Sequence, residues 1–407
     1  MNLPLFITRR MALGNFRSFS GFIVRIAILA VALSISVMII ATAMVNGFQR
    51  EISNKLFGFL GHVQISSFKG GGGYDDAAPI AKNQPYLTTI DTMTNIRHVQ
   101  AYARKAGIIT TEGNFEGIVL KGVDTDFDWS FFEKYIVSGK TFTINDTSKS
   151  NLILLSQITA NRMHFSVGDS ITVRFVQNPP RARRFIIAGI YNTGMEEYDE
   201  RYALVDIKHI QKLNEGWQPQ DIGGFEVFLN DINQLDATSD AIYNIVPQDQ
   251  IAQNLKSIDP NIFEWLNLQN MNEVVIIVLM LIVAVINMIT ALLILILERT
   301  NMIGVLKALG ATNWSVRKIF LYNAAIIASI GLVLGNIAGL GLCWLQQKFG
   351  FITLPEESYY ISTAPIAIDW FAIAVLNIGT LLICVLVLLL PTWLVTKIEP
   401  VKAIKFQ

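Results

Sequence analysis

Val274–Leu297 reads VVIIVLMLIVAVINMITALLILIL, and no Asp, Glu, Lys or Arg interrupts it. A helix needs about 20 mostly apolar residues to cross the hydrocarbon core of a bilayer. There it satisfies every backbone polar group internally, which an irregular chain in lipid could not do. This run therefore predicts a transmembrane helix. Three others meet the same criterion: Phe22–Met44, Ile319–Leu345 and Phe371–Val395. No fifth run does.

Between the first run and the second the composition changes. Over the whole chain 52% of residues are hydrophobic and 16% charged, whereas soluble domains carry about 25% charged residues. The deficit sits in the four runs, and Gln49–Gln269 reads as ordinary soluble sequence. The expected fold is a membrane protein with four transmembrane α-helices and a large α+β extracytoplasmic domain between helices 1 and 2. The divisions expected are an N-terminal segment 1–21, a first span 22–47 and a soluble domain 48–270, large enough for two lobes. A second span 271–297, a loop 298–318, a third span 319–345, a loop 346–369, a fourth span 370–395 and a tail 396–407 complete the chain.

Lys and Arg near helix ends set the orientation, because cytoplasmic loops retain them. Arg9, Arg10, Arg17 and Arg25 precede or open the first span. Arg299, Lys307, Arg317 and Lys318 lie between the second and third. Lys397, Lys402 and Lys405 follow the fourth. The loop between the third and fourth has Lys348 against Glu356, Glu357 and Asp369. Both termini and the second loop are expected in the cytoplasm. The first run is too long for a cleavable signal peptide, and no small-residue cleavage motif follows it.

Thirty-two basic and 32 acidic residues balance, so no global basic surface points to nucleic acid. Cys343 and Cys384 lie inside apolar runs, which leaves the soluble domain without a disulfide. Arg25 is expected to snorkel to headgroups. Asn287, Asn336 and Asn377 sit inside spans, where they bond between helices or line a path. No Asp or Glu lies within the apolar runs, which argues against a proton relay. Gly331, Gly335 and Gly339 form a small-residue stripe, for packing within the chain or against a second copy.

In the soluble domain Val63–Ser66, Gly117–Val123, Ile153–Leu155, Ile171–Phe175 and Arg184–Ile190 read as strands. Pro85–Arg97, Gln157–Met163 and Asp236–Tyr243 read as helices. Lys69–Gly73 reads as a loop and lacks the ending of a phosphate-binding loop. There is no Walker A pattern, zincin helix or Gly-x-Ser-x-Gly elbow, and His62, His98, His164 and His209 are scattered. No catalytic constellation or metal site emerges. Arg174–Arg184 (RFVQNPPRARR) predicts a protruding hairpin with prolines at its tip and a rim of arginines. Either it is a solvated turn or it docks a protein partner.

The second loop, Glu298–Lys318, reads ERTNMIGVLKALGATNWSVRK. Ile303, Leu306, Ala308 and Leu309 make a short apolar helical face. Gly310 can end that helix, and Thr312 or Asn313 can cap the next. The short helix lies on the membrane or enters a groove on a cytoplasmic partner.

These loop residues resemble those of the ABC-transporter permease family that includes FtsX, MacB and the lipoprotein-releasing permeases LolC and LolE. The resemblance rests on Glu298-Arg299 and Ile303–Ala311. Asn46–Ile52 with Leu56, Gly58 and Gly61–Ile65 resembles the first-span exit of LolC and LolE. Gly194–Asp199, Leu354-Pro355 with Tyr359–Ser362 and Pro365, and Pro400–Lys405 resemble further segments of that group.

The resemblance implies an inner-membrane permease subunit with a MacB-like periplasmic domain. It implies no nucleotide site of its own, with ATP and Mg held by a LolD-like ATPase. Glu298, Arg299, Ile303, Gly304, Leu306, Lys307, Leu309 and Gly310 would couple to that ATPase. Arg174, Gln177, Pro179, Pro180, Arg183 and Arg184 would dock a LolA-like periplasmic carrier. Ala41, Met44, Val45 and Phe48 would line the path of a lipoprotein substrate among membrane lipids. A second permease copy or paralogue would complete the transporter, whether in the LolC role, the LolE role or as a homodimer. A MacB-like peptide or drug exporter and an FtsX-like activator of a cell-wall hydrolase are the rival expectations.

Overall fold

The computed structural model describes residues 19–69, 78–111, 113–355 and 359–397. Arg9, Arg10, Arg17, the glycines 70–73, Glu356, Glu357 and the tail segment Pro400–Lys405 lie outside the described residues.

In chain order the elements are α1 (Phe19–Leu60), β1 (Val63–Ser67), β2 (Ile80–Ala81), α2 (Tyr86–Asp91), β3 (Ile96–Thr110), β4 (Phe115–Val123) and α3 (Ser130–Glu133). Next come β5 (Ile136–Gly139), β6 (Leu152–Ser156), α4 (Gln157–Met163), β7 (Ser170–Phe175), β8 (Arg181–Tyr191), α5 (Glu196–Arg201), β9 (Tyr202–Asp206) and α6 (Lys208–Leu213). Then follow β10 (Asp221–Ile222), β11 (Gly224–Leu229), α7 (Leu235–Tyr243), β12 (Gln250–Asn254) and α8 (Leu255–Ile258). The chain continues through α9 (Pro260–Glu298), α10 (Thr300–Ala308), α11 (Asn313–Phe349) and α12 (Trp370–Val387). Two compact units result. One comprises Met1–Arg50, Trp265–Thr353 and Thr363–Gln407, and the other Glu51–Glu264 and Leu354–Ser362.

The first unit is helical. Gly21–Leu60, Pro260–Glu298, Asn313–Phe349 and Trp370–Thr396 are long and apolar enough to cross a membrane. The glycine stripe has a definite use inside the chain. A Cβ on Gly331 would lie 2.8 Å from Val31 Cβ, one on Gly335 2.7 Å from the Ala32 carbonyl oxygen, and one on Gly339 3.1 Å from Ser36 Cα. The missing side chains let α11 approach α1 backbone to backbone. Asn336 and Asn377 exchange side-chain hydrogen bonds at 2.6 and 3.0 Å between α11 and α12. Asn287 instead donates to Val283 O on its own helix. Pro391, which lacks an N–H, falls in the four-residue helix Leu389–Thr392 that follows α12.

The second unit is built on a ten-stranded mixed sheet, in the order β12-β1-β11-β3-β4-β9-β6-β8-β5, with β7 pairing β3 and β8. The sheet is continuous through the middle of this unit, because β4 pairs β9 in parallel and β9 pairs β6. The five strand segments read from alternation fall within β1, β4, β6, β7 and β8.

The helix expected over Pro85–Arg97 is corrected. It ends at Asp91, and Ile96 and Arg97 open β3. Register across the sheet decides this: Ile96 pairs Leu229, and Asn95 accepts from Asp231 N at 2.8 Å and donates to Thr238 Oγ1 at 3.0 Å. Phe59, near the end of α1, is fully buried among Phe132, Tyr198 and Tyr202. Beside it the Lys121 ammonium lies 2.8 Å from Glu226 and donates to Phe59 O at 2.5 Å. Both ionic side chains are wholly buried, and pairing offsets the cost of removing them from water.

Candidate coupling, docking and path surfaces

The loop between α9 and α11 forms α10 and a tight exit. Gly310 adopts φ +93°, a left-handed conformation that glycine takes without a Cβ penalty. Its N–H donates to Lys307 O, and Ala311 N–H to Leu306 O. Thr312 caps α11 by accepting from Ser315 N.

The eight residues predicted here divide between two faces. Ile303 is fully buried in a cluster with Ile296, Val316, Phe320, Leu388 and Val395, against which Leu306 also packs. Gly304 is buried. Lys307 donates to Val395 O at 2.6 Å and so ties α10 to the carbonyl end of the fourth apolar helix. A cation there also complements the partial negative charge of a helix C-terminus. Arg299 is half-buried and Glu298 exposed.

Only Leu309, at 80% exposure, and Gly310 face fully outward with Glu298. Beside them stand Val305 and Trp314, both about half exposed. Arg317 and Lys318 lie over the Trp314 ring at 5.4 and 5.6 Å. Neither Val305 nor Trp314 is among the coupling residues that the sequence resemblance points to. The i, i+4 spacing of Val305 and Leu309 was the available signal for the outward face.

Ala41, Met44, Val45 and Phe48 follow the i, i+3, i+4, i+7 spacing of one face of α1. Phe48 is buried and the other three half-buried. Neighbouring positions on the same turns are pinned. Thr42 Oγ1 donates to Glu273 at 2.7 Å, and Gln49 to Asn270 at 2.5 Å, both on α9. Ala367 N donates to Ala43 O at 2.9 Å. A Cβ on Gly47 would come within 2.3 Å of Pro365 O. Glu273 directly precedes the apolar run and was not singled out in the sequence.

The hairpin joins β7 to β8 in the register Phe175↔Arg181. Its tip residues Asn178, Pro179 and Pro180 are exposed, while the positions that flank them are tied down. Gln177 donates to Leu213 O at 3.1 Å, and Arg181 to Lys212 O at 2.8 Å, so the loop is moored to the C-terminal carbonyls of α6. Pro179 and Pro180 are exposed. Arg174 bonds Thr110 and Arg184 bonds Ser170. Arg183 is half-buried and reaches Ala182 O at 3.1 Å. Beside the loop runs an apolar cavity of about 410 Å³, lined by Val176, Ile108, Gly117 and Ile118 among others.

Three segments that the sequence singled out meet at Lys55. It is buried, and its ammonium donates to Thr193 O at 2.5 Å and to Tyr360 O at 2.9 Å. A Cβ on Gly194, where φ is +75°, would lie 3.0 Å from that nitrogen. Asp199 closes the same turn by accepting from Thr193 N and Oγ1 at 2.9 and 2.7 Å. Burial raises its carboxyl to about 6, although those hydrogen bonds and Lys55 oppose the rise. Tyr198 donates to Asp259.

Among the described residues no group of three or more His, Cys, Asp or Glu side chains could hold a metal ion. His62 and His209 are held neutral by burial, each at about 4.

Residues 26–245 match the model of the MacB-like periplasmic core domain, more than half of the chain. The chain belongs to that family. Residues 274–400 match the FtsX-like permease C-terminal model. This MacB-like permease is 22% identical to the lipoprotein-releasing system transmembrane protein LolC of Xylella fastidiosa strain Temecula1, over 96% of this chain and 95% of that one. It is 22% identical to LolE of Haemophilus influenzae over 99% of both. The macrolide export ATP-binding/permease protein MacB of Acinetobacter baylyi is 23% identical over 79% of this chain and 49% of its own length.

Proposed function

We propose that this MacB-like permease is the transmembrane subunit of an ABC transporter in a bacterial inner membrane, with both termini cytoplasmic. It extracts lipoproteins and hands them to a periplasmic carrier. The observation that carries this reading is similarity to LolC and LolE along nearly the whole chain. Neither the soluble domain nor the helices alone would give it. The geometry of α10 supports the energy-coupling part.

Pulling acyl chains from a bilayer costs about 0.8 kcal/mol per buried CH₂, so a multiply acylated cargo needs an external energy source. A separate LolD-like ATPase supplies it. Its closure presses on the outward residues Val305, Leu309, Gly310 and Trp314, with Glu298 and Arg299 at the rim. The inward residues Ile303, Gly304, Leu306 and Lys307 carry that push into the helical core. Cargo chains enter along Ala41, Met44, Val45 and Phe48. The moored hairpin, with Arg174, Gln177, Pro179, Pro180, Arg183 and Arg184, offers the carrier its surface.

Depletion of the protein tests the reading. Outer-membrane lipoproteins should accumulate in the inner membrane, and the protein should co-purify with an ATPase and acylated cargo. Unchanged lipoprotein sorting would sink it. The match to MacB favours a second reading, export of peptides or drugs. Drug sensitivity with normal lipoprotein sorting would select that reading.

A further inference from the structure

A cavity of about 430 Å³ opens in the sheet-bearing unit, against the last turns of α1 and the ends of β3 and β11. Its wall is aromatic: Phe57, Phe131 and Phe228 line it. Gly58 makes room for this wall, since a Cβ there would fall 2.2 Å from the Phe131 ring. His62 stacks on Phe57 at 4.3 Å and accepts from Leu229 N through Nδ1, so it enters the wall as a neutral ring.

Three charged side chains belong to the lining. Arg97 lies over Phe228 at 5.3 Å and pairs loosely with Asp128 at 3.8 Å. Lys134 is exposed and Glu51 half-buried, and among the described residues neither makes an ion pair. The Asn54 amide also lines it, as does Asn230, whose Nδ2 donates to Thr94 O and Ile96 O. Two cations and one anion in a lining that is aromatic on one side match a head group that bears an anion and a cation and continues into hydrocarbon.

We infer that this cavity binds the zwitterionic phosphoethanolamine head of a phospholipid or of its free glycerol ester, with phosphate at Arg97 and Lys134 and ammonium at Glu51. The inference is independent of the cargo proposed above, and head-group binding survives even if lipoprotein sorting proves unchanged.

The test titrates the full-length protein, in phospholipid-free detergent, with glycerophosphoethanolamine, dioctanoyl phosphatidylethanolamine and dioctanoyl phosphatidylglycerol, read by calorimetry. Saturable binding of an ethanolamine form is expected. Lys134→Ala should weaken the ethanolamine and glycerol lipids alike by about tenfold, whereas Lys134→Arg should retain binding. Glu51→Gln should weaken only the ethanolamine forms, a split that a loss of folding would not produce. Tighter binding of the dioctanoyl lipid than of the free ester identifies a lipid, and equal binding identifies the free ester. Absence of saturable binding at about 10 mM, or affinities unchanged in Lys134→Ala and Glu51→Gln, would overturn the assignment.

Discussion

The Lys55 ammonium donates to the carbonyl of Tyr360 at 2.9 Å, across 305 residues of sequence. Its other carbonyl partner, Thr193, is 138 residues away. One buried cation thus holds Tyr360 and the β8–α5 turn against the end of α1. Lys55→Met keeps the length of the side chain and removes the donor. It leaves two carbonyls underused in a buried site, at about 1–3 kcal/mol of stability. Hydrogen exchange should quicken at the Leu354 amide, which bonds Ser362 O, and at the Thr193 amide. Unchanged exchange at both would mean that the clamp carries no energy.

Asp199 gives this junction a pH signature. Its carboxyl is raised from 3.8 to about 6, first by burial, so its ionised form costs the folded state about 3 kcal/mol. The folded protein binds this proton more tightly than the unfolded chain, and stability from this group falls as pH rises from about 4 to 6. Asp199→Asn cannot titrate. The melting-temperature difference, variant minus wild type, should therefore grow in the variant's favour across that window and level off above it. A difference independent of pH would contradict the shift.

The two faces of α10 predict opposite phenotypes. Leu309→Ala and Trp314→Ala alter exposed side chains, so the melting temperature should hold while ATPase coupling to transport falls. Ile303→Ala empties a fully buried position and should cost about 2–4 kcal/mol. Thermal unfolding of the three variants in detergent, beside transport-coupled ATP hydrolysis, separates the outcomes.

Gly335→Leu drives a side chain into Ala32 and Ile35 of α1. Overpacking of this kind costs about 1–3 kcal/mol. Gly341→Ala on the same helix meets no atom within 4 Å and should be nearly silent. Protease resistance in membranes distinguishes them, and equal sensitivity would remove α1 as the partner of the stripe.

The Asn336–Asn377 pair invites a double-mutant cycle with leucine. Coupling of about 0.6–1.7 kcal/mol is expected for a hydrogen-bonded pair in a membrane helix bundle. A value near zero would make each side chain's bond to its own helix, at Leu332 O and Ile373 O, the only one that matters.

Much of the fold was legible from local pattern. The β7 residues Ile171, Val173 and Phe175 alternate inward, and period 2 is visible without a partner strand. The end of α2 was not legible, because the turn Thr92–Asn95 and the strand that opens at Ile96 are set by pairing with Leu229 and bonds to Asp231, more than 130 residues away. The hairpin was seen as a hairpin, but its mooring was missed. Nothing in Gln177 or Arg181 announces the backbone carbonyls of Lys212 and Leu213.

By itself the sequence determined the four apolar helices and a less apolar α+β stretch between the first and the second. Transfer of a side chain to lipid or core is a local property, additive along a run such as Val274–Leu297. Only the tertiary structure decided which side of α10 looks outward, that Gly331, Gly335 and Gly339 meet α1, and that Lys55 gathers Thr193 and Tyr360. Each of those depends on where a distant carbonyl, ring or backbone stands, and the direction of a hydrogen bond or the depth of a close approach cannot be read from one segment alone.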